Sequence, residues 1–511
     1  MAYFINGTIL TLENPGECFT SMQVSEDRIV ALGYTNAQEL KNVDEEIIDL
    51  KGKTILPGFY DSHLHLISTF LNEISINFDH AKSIGDVQEI IDQWPYKYDY
   101  PVAIGKRLSE FNLKERRLPT RVELDRVSAD FPLVISSIEF HTVLMNSYAL
   151  NQFRIPFINH GFEKDGNKNF TGKLINQAAF IALKKVYDRL EDKHYLEGAD
   201  KTFETAIKNG VTTMVAVEGG PLFHTRHPEI ILQNKKIFPI DIEVFYSTTD
   251  LKKVLKHDLP RVGGDLFLDG SFRSRNAALY EPYNDTKDNL GKLFYTEQGL
   301  IEFIEHAHDL NLQIAIHAVG PRAIDRLLFA FETVLQKKIN PNHRHRIEHF
   351  ELPLTEHIQK AKELGITLAM HPTYEYFFRE KGMMYDTRLG EERAAMTNPF
   401  RQIFDAGIRV AGCSDSDIMP INPMLGIHSA VNHPNPKSRI TVYEAIQMYT
   451  LNGAYAIFQD EEKGSLKAGK KADFIILEQN PLEVDPTTLK DITIHSTYKN
   501  GKCLFTLQHN R

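Results

Sequence analysis

The run Pro57-Gly58-Phe59-Tyr60-Asp61-Ser62-His63-Leu64-His65 decides how the rest of the chain is read. It follows Thr54-Ile55-Leu56, a β-branched and apolar triplet that reads as the end of a strand. In extended backbone alternate side chains share a face, so Asp61, His63 and His65 project together. Two imidazoles and a carboxylate on one face suit a zinc-type ion, which takes N and O ligands at about 2 Å. A lone His-x-His is more often a pair of hydrogen-bonded strand histidines. The complete string, together with the polar residues that end later strands, favours the metal.

The whole chain sets the frame for that site. Its 511 residues are 42% apolar and 25% charged, ordinary values for a globular protein with a full core. A net charge of -10 and the absence of any basic block argue against nucleic acid or anionic membrane as partners. The start, Met-Ala-Tyr-Phe-Ile-Asn-Gly, has neither the basic nor the apolar region of a signal peptide. No apolar run approaches the ~18 residues of a membrane span. Cys18, Cys413 and Cys503 are far apart and form no CxxC, which disfavours a disulfide framework and points to a cytoplasmic location.

Residues 1–56 read as short strands with tight turns, including a hairpin at Asn6-Gly7 within Tyr3 to Leu12. Residues 464–511 have the same texture, so a small β domain built from both termini is expected. Between them, residues 57–463 repeat an amphipathic helix, a Gly or Asn break and a buried strand. The copies are 202–217, 300–317, 356–370 and 400–412. Further strands fit at 240–245, 266–268 and 344–347. With Thr54-Ile55-Leu56 these make eight, the number that closes a (β/α)8 barrel. Residues from about 66 to 200 break the rhythm and read as an insertion over the barrel mouth.

Polar residues stand where the strands run out: His317, His349 in Arg346-Ile347-Glu348-His349, and Asp415 after Gly412-Cys413-Ser414. Barrel enzymes build their sites at that end. Four histidines and an aspartate converging there would make a metal centre able to activate water, with Asp415 as proton shuttle. His141, Arg275 and His371 are candidates for contacting substrate. Glu348, next to His349, is expected on the opposite, helix-facing side of its strand. Tyr374, Tyr376, Phe377 and Phe378 suit either a pocket wall or core.

The chain resembles the amidohydrolase superfamily, and within it amidohydrolase family 3, the YtcJ-like group that includes N-substituted formamide deformylase. The resemblance spans nearly the whole sequence. It rests on Pro57 to His65, Phe140 to Ser147, Leu268-Asp269-Gly270-Ser271 with Ala277-Ala278-Leu279, and His317-Ala318-Val319-Gly320. It continues through Arg346 to His349, Gly412 to Asp415 and Gly464 to Phe474. It implies a distorted TIM barrel with a β-sandwich from both termini, and a metal-dependent hydrolase of C–N bonds. The implied ligands are His63, His65, His317, His349 and Asp415, with Asp415 also the acid/base. Zinc is the first expectation for the ion, with iron, manganese or nickel as alternatives.

Two positions depart from the family. Similar proteins often have a lysine before the Leu-Phe-x-Asp-Gly run, carbamylated in two-metal relatives to bridge the ions; here Asp265 stands in that place. An aspartate is too short to reach the same point unless the backbone shifts. Either one ion is held, the preferred reading, or the bridge comes from elsewhere. The second departure is Gly320-Pro321, where relatives commonly have Gly-Asp. The expected activity is hydrolysis of an amide, formamide or other non-peptide C–N bond of a small molecule. The alternatives are a non-hydrolytic isomerase or decarboxylase reaction on the same scaffold, and a catalytically silent metal-binding paralogue. A homodimer is common among similar proteins.

Overall fold

The computed structural model describes the chain except residues 37–39, 41–44, 95–98, 111, 138–141, 156–160, 176, 221–224, 380–381 and 508–511. It divides into two compact units: Met1–His65 with Phe203–Val217 and Lys235–Arg511, and Leu66–Thr202 with Glu218–Asn234.

Eight parallel strands form one sheet in chain order: β1 (Phe59–Leu64), β2 (Val211–Gly219), β3 (Asp241–Ser247), β4 (Arg261–Phe267), β5 (Gln313–Ala318), β6 (Arg346–His349), β7 (Thr367–Met370) and β8 (Val410–Gly412). The chain beyond β8 returns to β1. Asp415 N donates to His63 O at 2.9 Å, and His65 N donates to Ser416 O at 2.5 Å. The sheet is therefore a barrel, distorted where the β1–β2 and β4–β5 ladders slip register. The strands are buried on both faces, as helix-covered parallel strands must be, which is why they read as continuous apolar runs. The helix Glu297–Asp309 shows the repeat at work. Thr296 caps it by accepting from Gly299 N at 3.2 Å, and Leu300, Ile304 and Ala307 face inward.

One expected barrel strand belongs elsewhere. Thr54–Pro57 pairs with Phe474–Leu477 and Thr8–Leu10, whereas the motif itself, Phe59–Leu64, is β1. Gly58 is the joint: its N–H donates to Asp473 O, and the next N–H donates to Gly210 O, both at 2.9 Å. A Cβ on Gly58 would lie 2.4 Å from Thr212 Oγ1, so the crossing demands glycine.

Asn6-Gly7 likewise makes a corner rather than a hairpin. Ala2–Ile5 lies in a four-stranded sheet with Ser21–Ser25, Arg28–Gly33 and Glu46–Asp49, while Thr8–Leu10 lies in a six-stranded one. That second sheet joins Cys18–Phe19, Thr8–Leu10 and Thr54–Pro57 to Phe474–Leu477, Ile494–Lys499 and Lys502–Thr506. The two sheets share a core of Phe4, Met22, Ile29, Ile55, Phe474 and Ile476, giving the sandwich built from both termini.

The second unit has a mixed six-stranded sheet of its own. Its order is Phe162–Lys164, Phe170–Ile175, Thr142–Met145, Leu133–Ser137, Ala103–Leu108 and Ile76–Asn77, with Phe78, Leu133, Ile135 and Leu144 in its core.

Candidate metal centre

Each ligand candidate comes from the C-terminal end of a barrel strand. His63 lies within β1 and His65 just after it. Asp265 lies within β4, His317 within β5, and His349 ends β6. His371 follows β7 and Asp415 follows β8. All seven are buried. They form three overlapping trios, His63–His65–Asp415, Asp265–His317–His349 and His63–His349–His371, whose ligating atoms lie within 4.8 Å of one another. Asp415 Oδ1 is 3.4 Å from His63 Nε2 and 3.2 Å from His65 Nε2. Asp265 Oδ2 is 3.2 Å from His65 Nε2, and its Oδ1 is 3.2 Å from His317 Nδ1 and 3.9 Å from His349 Nε2. The aspartate does reach the cluster. His371 stands closer in than a substrate contact would, with its ring centroid 4.4 Å from that of His349 and 5.1 Å from that of His63.

Behind these groups is a shell that aims them. His63 Nδ1 meets Glu348 Oε2 at 2.6 Å. Glu348 in turn accepts from Arg346 Nε at 2.8 Å and from its terminal nitrogen at 2.7 Å, and that nitrogen also donates to Ser62 O at 2.9 Å. The expectation that Glu348 packs toward the helices is therefore wrong. Residues 346 and 348 share the inward face of β6, and His349 joins them because its φ of +71° turns it back at the strand end. Asp61 does not join the ligands. Its Oδ1 accepts from Ser414 N at 2.9 Å, tying β1 to the segment after β8, and burial pushes its pKa up to about 6. His65 Nδ1 lies 3.2 Å from Val217 O. The Tyr374 hydroxyl donates to Asp415 Oδ2, and its ring stacks on His371 with centroids 5.1 Å apart. Its neighbours Tyr376 and Phe377 are exposed.

Asp269, from the loop after β4, went unassigned in the sequence reading. It accepts from Ala278 N at 2.8 Å, Val319 N at 3.0 Å and Gly320 N at 2.8 Å. It thereby pins two motif segments, 277–279 and 317–320, beside His317. Gly320 is also the cap of the helix Pro321–Lys337. Pro321 opens that helix where its missing N–H costs nothing, a structural use for the departure from Gly-Asp.

The electrostatics set buried carboxylates against imidazoles. Burial alone would depress His63, but Asp415 and Glu348 push it up to about 9. His65 rises well above the usual range for the same reason, against Asp265 and Asp415. Burial would raise Asp265 and Asp415, yet the surrounding imidazoles hold both well below the usual carboxylate range. Burial and the neighbouring His317 bring His349 down to about 4, and burial holds His371 well below its ordinary value. The two carboxylates are thus charged and His349 and His371 neutral, the states in which those four ligate, while His63 and His65 carry protons that an ion would displace. Among the described residues His349 Nδ1 and Nε2 and His371 Nδ1 make no hydrogen bond, and the approaches of Asp415 Oδ1 to His63 Nε2 and His65 Nε2 are ion-pair contacts not aligned as hydrogen bonds. A hydrogen-bonded histidine cluster would satisfy such atoms. Aimed together with the carboxylates, they fit a divalent ion with N/O preference.

Of the two remaining candidates for substrate contact, only Arg275 is among the described residues. Arg275 is engaged by Asp285, with Nε to Oδ1 at 2.9 Å and a terminal nitrogen to Oδ2 at 2.7 Å. His141 lies outside the described residues. Among the described residues no helix is long and apolar enough to cross a membrane.

Known proteins agree with this architecture. The YtcJ protein of Bacillus subtilis strain 168 is 28% identical, over 99% of each chain. The N-substituted formamide deformylase of Arthrobacter pascens is 25% identical over 97% of each. A crystal structure of an uncharacterized metal-dependent hydrolase from Pyrococcus furiosus superposes with a TM-score of 0.77 at 27% identity, covering 94% of this chain and 100% of that one. Residues 46–505 match the profile of the amidohydrolase family, and the chain belongs to that family.

Proposed function

We propose that the protein is a metal-dependent hydrolase that cleaves an amide, formamide or related non-peptide C–N bond of a small molecule. The carrying observation is the convergence of buried histidine and aspartate ligand atoms at the strand ends, several of them not satisfied by hydrogen bonds. The formamide deformylase among its relatives and the metal-dependent hydrolase among its structural neighbours support the reading. Zinc is the ion assigned first, held by His63, His65, His317, His349 and Asp415, with His371 and Asp265 in reach.

A divalent ion in this site supplies Lewis acidity, which polarises a carbonyl and brings the pKa of water toward neutrality. The protein's own residues do the rest. Glu348 and Val217 O fix the two imidazoles of the motif. Asp415 is held by the Tyr374 hydroxyl at Oδ2 while Oδ1 faces His63 and His65. It takes the proton of the attacking water as the new C–O bond forms, and returns it to the nitrogen as the C–N bond breaks. The whole set is buried, which strengthens these electrostatic interactions.

The test is a panel of N-formyl and N-acyl amines assayed in 18O-labelled water, with the protein metal-loaded or chelated. The label should enter the product acid, and chelation should abolish turnover. Product without label, or turnover indifferent to chelation, overturns the reading.

A further inference from the structure

We infer that Asp265 is itself the bridging carboxylate of a two-ion centre, standing in for a carbamylated lysine; the inference rests on the metal-dependent reading above. Its two oxygens face different partners. Oδ2 lies 3.2 Å from His65 Nε2, in the trio with His63 and Asp415, and Oδ1 lies 3.2 Å from His317 Nδ1 and 3.9 Å from His349 Nε2, in the other trio. One carboxylate with one oxygen toward each ligand set is what a bridge requires.

The backbone explains how so short a side chain reaches this place. Gly263 and Gly264 precede it with φ of +93° and +89°, and the β4–β5 ladder changes register between Gly263 and Phe267. Such a bulge re-aims the side chain that follows. Both glycines are obligatory here: a Cβ would lie 1.9 Å from Ala315 O at position 263 and 2.6 Å from Val217 Cγ1 at position 264. Ser247 locks the bulge, donating to Gly263 O at 2.9 Å and accepting from Asp265 N at 3.1 Å. The Gly-Gly bulge thus carries a genetically encoded carboxylate to the place where relatives use one made from lysine and carbon dioxide. Loading of this centre is therefore independent of carbon dioxide.

The experiment counts metal per chain after loading the full-length protein with Mn2+ in buffer purged of carbon dioxide, and records its electron paramagnetic resonance. Two ions with an exchange-coupled spectrum are expected in the wild type, and one ion with an isolated-ion spectrum in Asp265→Asn. The wild-type measurement stands by itself if that variant does not fold. A single ion in the wild type overturns the bridge and leaves the metal-dependent reading intact, as for an ion held by His63, His349 and His371. Two ions retained in Asp265→Asn, or two only when bicarbonate is added, also overturn it. No ion under any condition refutes the metal-dependent reading as well.

Discussion

Replacing Glu348 by Gln keeps the shape of a fully buried side chain and removes its charge, which makes it the sharpest probe of how the centre is held. Two consequences separate. Arg346 is itself fully buried, and Glu348 is the carboxylate that receives its Nε and one terminal nitrogen. Stranding that guanidinium costs about 3–5 kcal/mol, the usual result of breaking a buried ion pair from one side. The carbonyl of Ser62 at 2.9 Å and the ring of Phe245 at 4.7 Å remain as weaker partners, which argues for the lower end. Independently, His63 loses the charged acceptor 2.6 Å from its Nδ1. Loss of such a support lowers metal affinity about 10–100-fold. Denaturant titration of the metal-free protein reads the first effect and chelator competition reads the second. The double variant Arg346→Met/Glu348→Gln removes the stranded charge, so it should regain stability while keeping the affinity defect. Wild-type metal affinity in Glu348→Gln would refute the orienting role. An affinity loss that disappears with the stability loss in the double variant would reduce it to packing.

Replacing Asp415 by Asn should leave metal bound and cut turnover by about 100–10,000-fold, since the proton carrier is gone while the ligand atom Oδ1 keeps its place; metal content and kcat measured on one sample decide it. His345 and His343 are pushed down by burial, His345 well below its ordinary value, and both accept backbone N–H bonds at Nδ1, from Ile314 at 3.1 Å and His345 at 2.8 Å. Their folded pKa values lie below the unfolded ~6.5, so the unfolded chain binds protons first: their contribution is complete above about pH 6.5 and is lost below it, at most about 1.4 kcal/mol per pH unit each. Urea midpoints between pH 5 and 8 should show this slope, and His345→Gln should flatten it. Gly58→Ala should destabilise by about 1–3 kcal/mol because its Cβ would meet Thr212 Oγ1 at 2.4 Å and Cγ2 at 2.5 Å. The loss should shrink when the same change is made on a Thr212→Ala background, as read by thermal midpoints.

The barrel was legible because burial on both faces writes itself into sequence as apolar runs separated by amphipathic helices. The candidate ligands at strand ends followed from that rhythm. Errors of placement arose at glycines that pass the chain between sheets: Gly7, whose Cβ would meet Leu50 Cδ1 at 2.4 Å, and Gly58. Both look like turn residues in one dimension, and only the neighbour that would clash reveals the crossing. Tyr374 stood three residues after His371 in plain view, but nothing local distinguishes a tyrosine that meets Asp415 from one that fills core.

Side-chain direction at the strand ends was the deeper difficulty. A period-two reading places Glu348 and His349 on opposite faces, and within a regular strand that is right. The structure resolves the conflict with left-handed backbone: φ is +71° at His349, +51° at Phe350 and +55° at Asp415. Non-glycine residues pay about 1–3 kcal/mol for such conformations, and they persist where packing over-determines them. Here the fixing bonds are visible, with Phe350 N donating to Ala318 O at 3.1 Å and Asp415 N to His63 O at 2.9 Å. The strain lets the inward face of β6 supply Arg346 and Glu348 as support while the very next residue supplies a candidate ligand. One strand thereby furnishes both a candidate ligand and the carboxylate that steadies a histidine on another strand. Alternation alone would have allowed only one of the two.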